Sequence, residues 1–143
     1  MSRTPIITDL TPFPNLAKLN WAALGDLPVE VWYAKRLGDT PATAEELATT
    51  HVHLLTIHQP SKERIYAALQ GERWSPNGEA RPFLEAAGLW HTSMSTSDIL
   101  VIQDLRKPGI KKVMVCAALG WEEIPPAASA RPTAQPAQAE ATA

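Results

Sequence analysis

The sequence predicts an α+β fold: a small mixed sheet, short helices on one face of it, and a C-terminal β-hairpin. Short β-branched and aromatic runs alternate with short helix-forming stretches through the first two thirds of the chain. Two apolar runs, Ile99-Leu100-Val101-Ile102 and Val113-Met114-Val115-Cys116, flank a turn at Arg106-Lys107-Pro108-Gly109 and read as an antiparallel pair. A purely alternating pattern would imply a parallel sheet, and the terminal hairpin breaks that pattern.

In chain order, Pro5, Pro12 and Pro14 mark an irregular start. Asn15 then caps a helix with Leu16, Leu19 and Ala23 on one face, and Gly25 ends it. Val29-Glu30-Val31-Trp32-Tyr33-Ala34 is the first strand. Thr40-Pro41 opens a short helix over 42–49, with the hydroxyl at the cap and proline at the first helical position. The apolar run 51–58 is a second strand. Ser61 caps a helix that places Ile65 and Leu69 four apart, with Gly71 as its stop. Trp74-Ser75-Pro76-Asn77-Gly78 is turn chemistry, because Asn-Gly supplies positive φ. Pro82 opens a third helix over 83–87, which Gly88 closes. Strands follow at 98–102 and 111–117, and beyond Gly120 a short edge strand spans 121–124. The division is a lead-in at 1–28, one α+β domain at 29–124, and a tail at 125–143. The tail is Ala, Pro, Gln, Thr and Ser, too poor in bulky apolar side chains to offset its ordering entropy, and is expected to be disordered.

The bulk composition narrows the function classes. At 143 residues, 45% hydrophobic and 20% charged, the chain is long enough for a core without staples. Its net charge of -2 lacks the basic excess with which a protein neutralises DNA phosphates. The single Cys116 excludes an intramolecular disulfide and a multi-cysteine metal site; in its apolar run it reads as a buried, inert thiol. Residues 1–10 lack the apolar core of a secretory signal, and no run is long enough to span a membrane. The expected compartment is the cytoplasm.

Four groups of residues carry the candidate chemistry. His51 and His53 share a strand face, with His58 opposite, but no third ligand has metal-site spacing, so no metal is expected. The segment His91-Thr92-Ser93-Met94-Ser95-Thr96-Ser97-Asp98 gathers five hydroxyls before a buried strand. If extended, it turns His91, Ser93, Ser95 and Ser97 to one side. A catalytic reading makes His91 the base for Ser93 or Ser95. Residues two apart on a strand lie roughly 6–7 Å apart, beyond direct hydrogen-bond reach without a kink. The structural reading has the hydroxyls and Asp98 bonding nearby amides to fix the turn. Of the five tryptophans, Trp32, Trp90 and Trp121 adjoin strands and read as core, whereas Trp21 and Trp74 sit near loops, where aromatics anchor interfaces. Lys62, Arg64, Arg73 and Arg81 are basic but interleaved with Glu63, Glu72, Glu79 and Glu85, as on a solvated face.

Several of these residues coincide with a known pattern. Gln70-Gly71-Glu72-Arg73-Trp74-Ser75-Pro76-Asn77-Gly78-Glu79-Ala80-Arg81-Pro82, Gly88-Leu89-Trp90-His91-Thr92-Ser93-Met94-Ser95, Ser97-Asp98-Ile99-Leu100-Val101 and Leu119-Gly120-Trp121-Glu122-Glu123-Ile124 resemble the YodL-like domain family. The resemblance runs over about residues 63–124, with His91, Ser93, Ser95, Asp98 and Gly120 at pattern positions. Ile99-Leu100 replaces the family's Val-Val, and the lead-in and tail fall outside the match. It implies an origin on plasmids, phages or conjugative elements, often beside anti-restriction modules, and assigns no catalytic residue.

The resulting expectation is a non-enzymatic accessory protein of a mobile genetic element that binds a host or element-encoded protein, in an anti-restriction or anti-CRISPR role, and needs no cofactor. The expected binding set is His91, Ser93, Ser95, Asp98, Trp74, Arg73 and Arg81. The alternative is a DNA-binding or plasmid-maintenance module using Arg64, Arg73, Arg81, Lys107, Lys111 and Lys112. A third reading is a hydrolase or nucleotide-modifying enzyme built on His91, Ser93 and Asp98.

Overall fold

The computed structural model describes residues 5–20, 28–36, 38–59, 61–103 and 110–126. The expected positions Trp21, Ala23, Gly25 and Lys107, the turn at 106–109 and all but the first two residues of the tail lie outside them. Among the described residues five strands form one sheet in the order β2-β1-β3-β4-β5: β1 Val29–Ala34, β2 His51–Ile57, β3 Ile99–Gln103, β4 Lys111–Ala117 and β5 Gly120–Ile124. The helices are α1 Pro14–Leu19, α2 Leu47–Thr50, α3 Lys62–Ala68, α4 Gly71–Trp74 and α5 Arg81–Ala86, with a 3-10 turn at Ala44–Glu46 leading into α2.

This is the expected α+β class with its C-terminal hairpin, but two particulars differ. Every strand pairing is antiparallel rather than mixed. Helical structure also packs on both faces rather than one. Period-2 alternation sends Val29, Val31, Tyr33 and Leu100 to the face covered by α1, α3, α4 and α5, where they meet Leu16, Ile65, Leu69, Trp74 and Leu84. Trp32, Ile99, Val101, Val113, Val115 and Ile124 point the other way, under Leu47 and Ala44. A bulge leaves Leu54 unpaired between the partners of Val31 and Trp32, so both Leu54 and Leu55 are buried. The amides of Ile6 and Ile7 donate to the carbonyls of His53 and Leu54, and Ile7 and Phe13 enter the main core. Ile6, Ile7, Phe13 and Leu16 of the lead-in thus pack with the sheet.

Local expectations fail where a side chain has a longer-range partner. Asn15 does not cap α1, which has Phe13 at its N-cap; its amide instead donates to the Arg73 carbonyl at 2.6 Å. The Thr40-Pro41 start is displaced to Ala44. Ser61 does cap α3, accepting the Arg64 amide at 3.2 Å. Gly71 opens α4 rather than stopping α3, because its amide donates to Ser93 Oγ at 2.7 Å. A Cβ there would stand 3.2 Å from that oxygen. Gly88 (φ +74°) closes α5 with a Schellman pair, Leu89 N to Leu84 O and Gly88 N to Glu85 O. Among the described residues no helix is long and apolar enough to cross a membrane.

Candidate functional site

Segment 91–98 runs from α5 to β3 with the polar groups of His91, Ser93, Ser95 and Asp98 turned inward. Asp98, fully buried, accepts the Ala34 amide on Oδ1 and the Ser95 amide on Oδ2, each at 2.8 Å. His91 Nε2 donates to both oxygens, at 3.0 and 2.8 Å. One carboxylate therefore joins β1, the segment and the start of β3. The turn into β3 closes through the Asp98 amide to Ser95 O, Ser97 N to Cys116 O and Cys116 N to Asp98 O. Ser97 adopts φ +83°, which a non-glycine residue holds only when its surroundings dictate it.

The hydroxyls and carbonyls of the segment hold the helices. Ser93 Oγ accepts the Gly71 amide, and Met94 N donates to Leu69 O. The Thr92 carbonyl accepts both Tyr33 OH at 2.8 Å and Trp74 Nε1 at 3.1 Å. Burial, and then the Asp98 carboxylate, push the Tyr33 phenol far above its usual range, so it remains a donor. The same two influences push the Cys116 thiol up, in keeping with an unreactive core cysteine.

His51 supports the segment from β2. Its Nε2 contacts the Ser97 carbonyl at 2.6 Å and its Nδ1 the Thr50 hydroxyl at 2.7 Å. A carbonyl only accepts, so the proton resides on Nε2 and Thr50 donates to Nδ1. Burial lowers the His51 pKa despite the opposing Ser97 carbonyl and Asp98 charge, favouring this neutral form. His53 stacks on Trp32 with ring centroids 4.8 Å apart. Among the described residues no group of three His, Cys, Asp or Glu is placed to hold a metal ion.

The arrangement differs from a nucleophilic site. His91 and Asp98 have the base-and-orienter geometry of an acid–base pair, but His91 Nδ1 is buried without a hydrogen-bond partner, and so is Ser95 Oγ. Ser93 is engaged with Gly71. Neither serine is bonded to the imidazole, so the His91–Ser arrangement considered from sequence is not assembled.

Of the expected set, Arg73 and Arg81 are exposed, whereas Asp98 and Trp74 are buried and Ser93 is engaged within the fold. Trp74, expected as a loop anchor, is 1% exposed and packs on Phe13 at 5.2 Å. Trp90, expected in the core, is 47% exposed. Its ring lies 3.8 Å from that of His91, which in turn stacks on Tyr33 at 4.5 Å. The three rings form a column from the core to the surface, tied at its middle to Asp98. The missed signal was local: buried Leu89 completes the α5 cap, and the next residue points out. The basic residues are dispersed. Arg64 and Arg73 line one cleft with Lys18, Arg81 lines a polar cavity of about 400 Å³ with Asn77 and Thr92, and Lys111 pairs with Glu30 at 2.9 Å on the far face. Burial alone would raise the Glu30 carboxyl, but the bonds from Lys111 and Trp32 outweigh it and hold the group below its usual range. Comparison with protein-family models, with curated proteins and with solved structures finds no match for this chain.

Proposed function

We propose that this protein is a non-enzymatic accessory module that acts by binding another protein, with Trp90 as its anchor. The observation that carries the reading is an exposed indole held in place from behind: His91, itself fixed by Asp98 and Tyr33, leaves Trp90 little conformational entropy to lose on binding. Tryptophans so held are the residue type most often found at the energetic centre of protein interfaces. The use of Ser93 and Asp98 inside the fold favours binding over hydrolysis. The resemblance to YodL-like domains suggests a setting on a mobile genetic element, with host defence proteins as the class of partner.

The test is an affinity capture from host lysate, followed by mass spectrometry, with wild type and Trp90→Ala compared at matched thermal stability. A specific protein captured by wild type and weakened by about 30-fold or more in Trp90→Ala is the expected result, as for loss of a hot-spot side chain. Equal capture by both, or no specific capture at all, would overturn the assignment.

A further inference from the structure

The loop between α4 and α5 encloses a cavity of about 400 Å³, lined by Ser75, Pro76, Asn77, Gly78 and Arg81 together with Gly71 and Thr92. The loop is set by its own hydrogen bonds. Gly78 N donates to Ser75 O and Arg81 N to Gly78 O, each at 3.1 Å, and Ala80 N donates to Ser75 Oγ at 2.9 Å. The loop's one carboxylate, Glu79, accepts the Asn77 amide at 2.9 Å and Asn77 Nδ2 at 3.3 Å. It is therefore spent on the turn. What the loop leaves uncommitted is a set of donors. The Arg81 guanidinium has no ion pair or hydrogen bond among the described residues, and neither has the Thr92 hydroxyl a hydrogen bond. Ser75 Oγ accepts from Ala80 and keeps its own proton to give. Among the described lining residues Pro76 alone carries an apolar side chain.

We propose that this cavity binds the phosphate monoester of a small sugar or polyol. The Arg81 fork takes two phosphate oxygens in bidentate geometry, and the Thr92 and Ser75 hydroxyls donate to the third. A monoester brings three terminal oxygens and a charge of about -1.5 to -2, so it uses these donors more fully than a two-oxygen carboxylate does. The cavity falls in the range of small-molecule sites, roughly 300–1,000 Å³, and is larger than a phosphate group fills. The Asn77 amide, with a donor and an acceptor, suits the ligand's own hydroxyls in the remaining space. An apolar ligand would cover the free donors without pairing them. A peptide fits less well, because peptide anchors are mainly aromatic and aliphatic and the lining offers them little beyond the Pro76 ring. The site does not include Trp90, and the proposal does not rest on protein binding there.

The experiment is isothermal titration calorimetry of the full chain with ribose-5-phosphate at constant ionic strength. Ribose, inorganic phosphate and a short phosphoserine peptide are titrated beside it. The expected result is saturable binding of the sugar phosphate, about tenfold or more tighter than any of the three. Arg81→Ala should weaken it by about tenfold or more, the scale of a hydrogen bond to a charged group. Arg81→Lys should weaken it by less, because the charge is kept and the fork is lost. Thr92→Val keeps the shape of the side chain and should weaken binding by about two- to tenfold through the missing hydroxyl. The Arg81 side chain is exposed and supports no hydrogen bond among the described residues, so its variants should fold, and a thermal melt checks this. Trp90→Ala should bind the sugar phosphate as wild type does, so that failure here and failure of the Trp90 surface are told apart. Absence of saturable binding, or binding unchanged in Arg81→Ala, overturns the proposal. Inorganic phosphate or the phosphoserine peptide binding as tightly as the sugar phosphate overturns it too, because the cavity would then not read the sugar.

Discussion

Replacing Asp98 by asparagine keeps the shape of the side chain and removes its ability to accept on both sides. The carboxylate receives three buried donors: the Ala34 amide, the Ser95 amide and His91 Nε2. With the asparagine oxygen kept on Ala34, its NH2 group faces Ser95 N–H and His91. The imidazole can answer by moving its proton to Nδ1, but the Ser95 amide cannot. A lost bond to a charged group is worth about 1.5–3 kcal/mol and an orphaned buried donor costs about 1–3 kcal/mol, so the expected destabilisation is about 3 kcal/mol. Asp98→Ala strands all three donors and should cost about 3–5 kcal/mol, as when one partner of a buried pair is removed. Against a total stability of about 5–15 kcal/mol, either change is large. Urea unfolding followed by tryptophan fluorescence measures it, with the slope m unchanged if only stability has moved. An Asp98→Asn midpoint coincident with wild type would refute the claim that this carboxylate holds the segment to β1.

Two further outcomes follow from the same turn. Burial lowers the His51 pKa in the folded state, so the unfolded chain takes up the proton first as pH falls. This contribution to stability is full above about pH 6.5, the unfolded value, and is lost as the pH drops toward the folded one. His51→Gln keeps a donor for the Ser97 carbonyl without titrating, so its denaturant midpoint should fall less than that of wild type between neutral and mildly acid pH; parallel curves would contradict the assignment. Ser97→Gly relieves the φ of +83° and should be neutral or stabilise by up to about 1 kcal/mol, whereas Ser97→Val should destabilise. Thermal melts that rank the two the other way would show that the Ser97 side chain, rather than its backbone, sets the turn.

What was legible in the sequence was whatever a short window decides. Val29–Ala34, Lys111–Ala117 and the Ser61 cap depend on alternation or on one hydroxyl three residues from its amide, and all three are found as expected. Gly71 and Asn15 look like local punctuation in sequence because nothing nearby advertises Ser93, 22 residues on, or Arg73, 58 residues on. Trp74 and Trp90 exchanged roles for the same reason. Trp74 lies beside turn residues, yet its indole is drawn inward by the Thr92 carbonyl and Phe13. Trp90 adjoins a buried segment but follows a helix cap that turns it outward. The unusual run of hydroxyls at 91–98 was visible; that its groups serve Gly71, β1 and the β3 turn required the tertiary fold.

That division of labour governs which variant can report on function. A substitution at His91 breaks its bond to Asp98 and removes the middle ring between Tyr33 and Trp90. Binding lost in such a variant would follow equally from a damaged core, a loosened Trp90 or a lost direct contact. Asp98 and Ser93 are confounded in the same way, because each removes support for a buried amide. Trp90 stands apart: its ring is the outermost of the column, and among the described residues no hydrogen bond of the fold depends on its indole nitrogen. Truncating it removes contact area at the surface while the Tyr33–His91–Asp98 assembly beneath keeps its bonds. A binding loss in Trp90→Ala at unchanged stability therefore locates an interface, whereas the same loss in His91→Ala locates only the scaffold on which that interface is built.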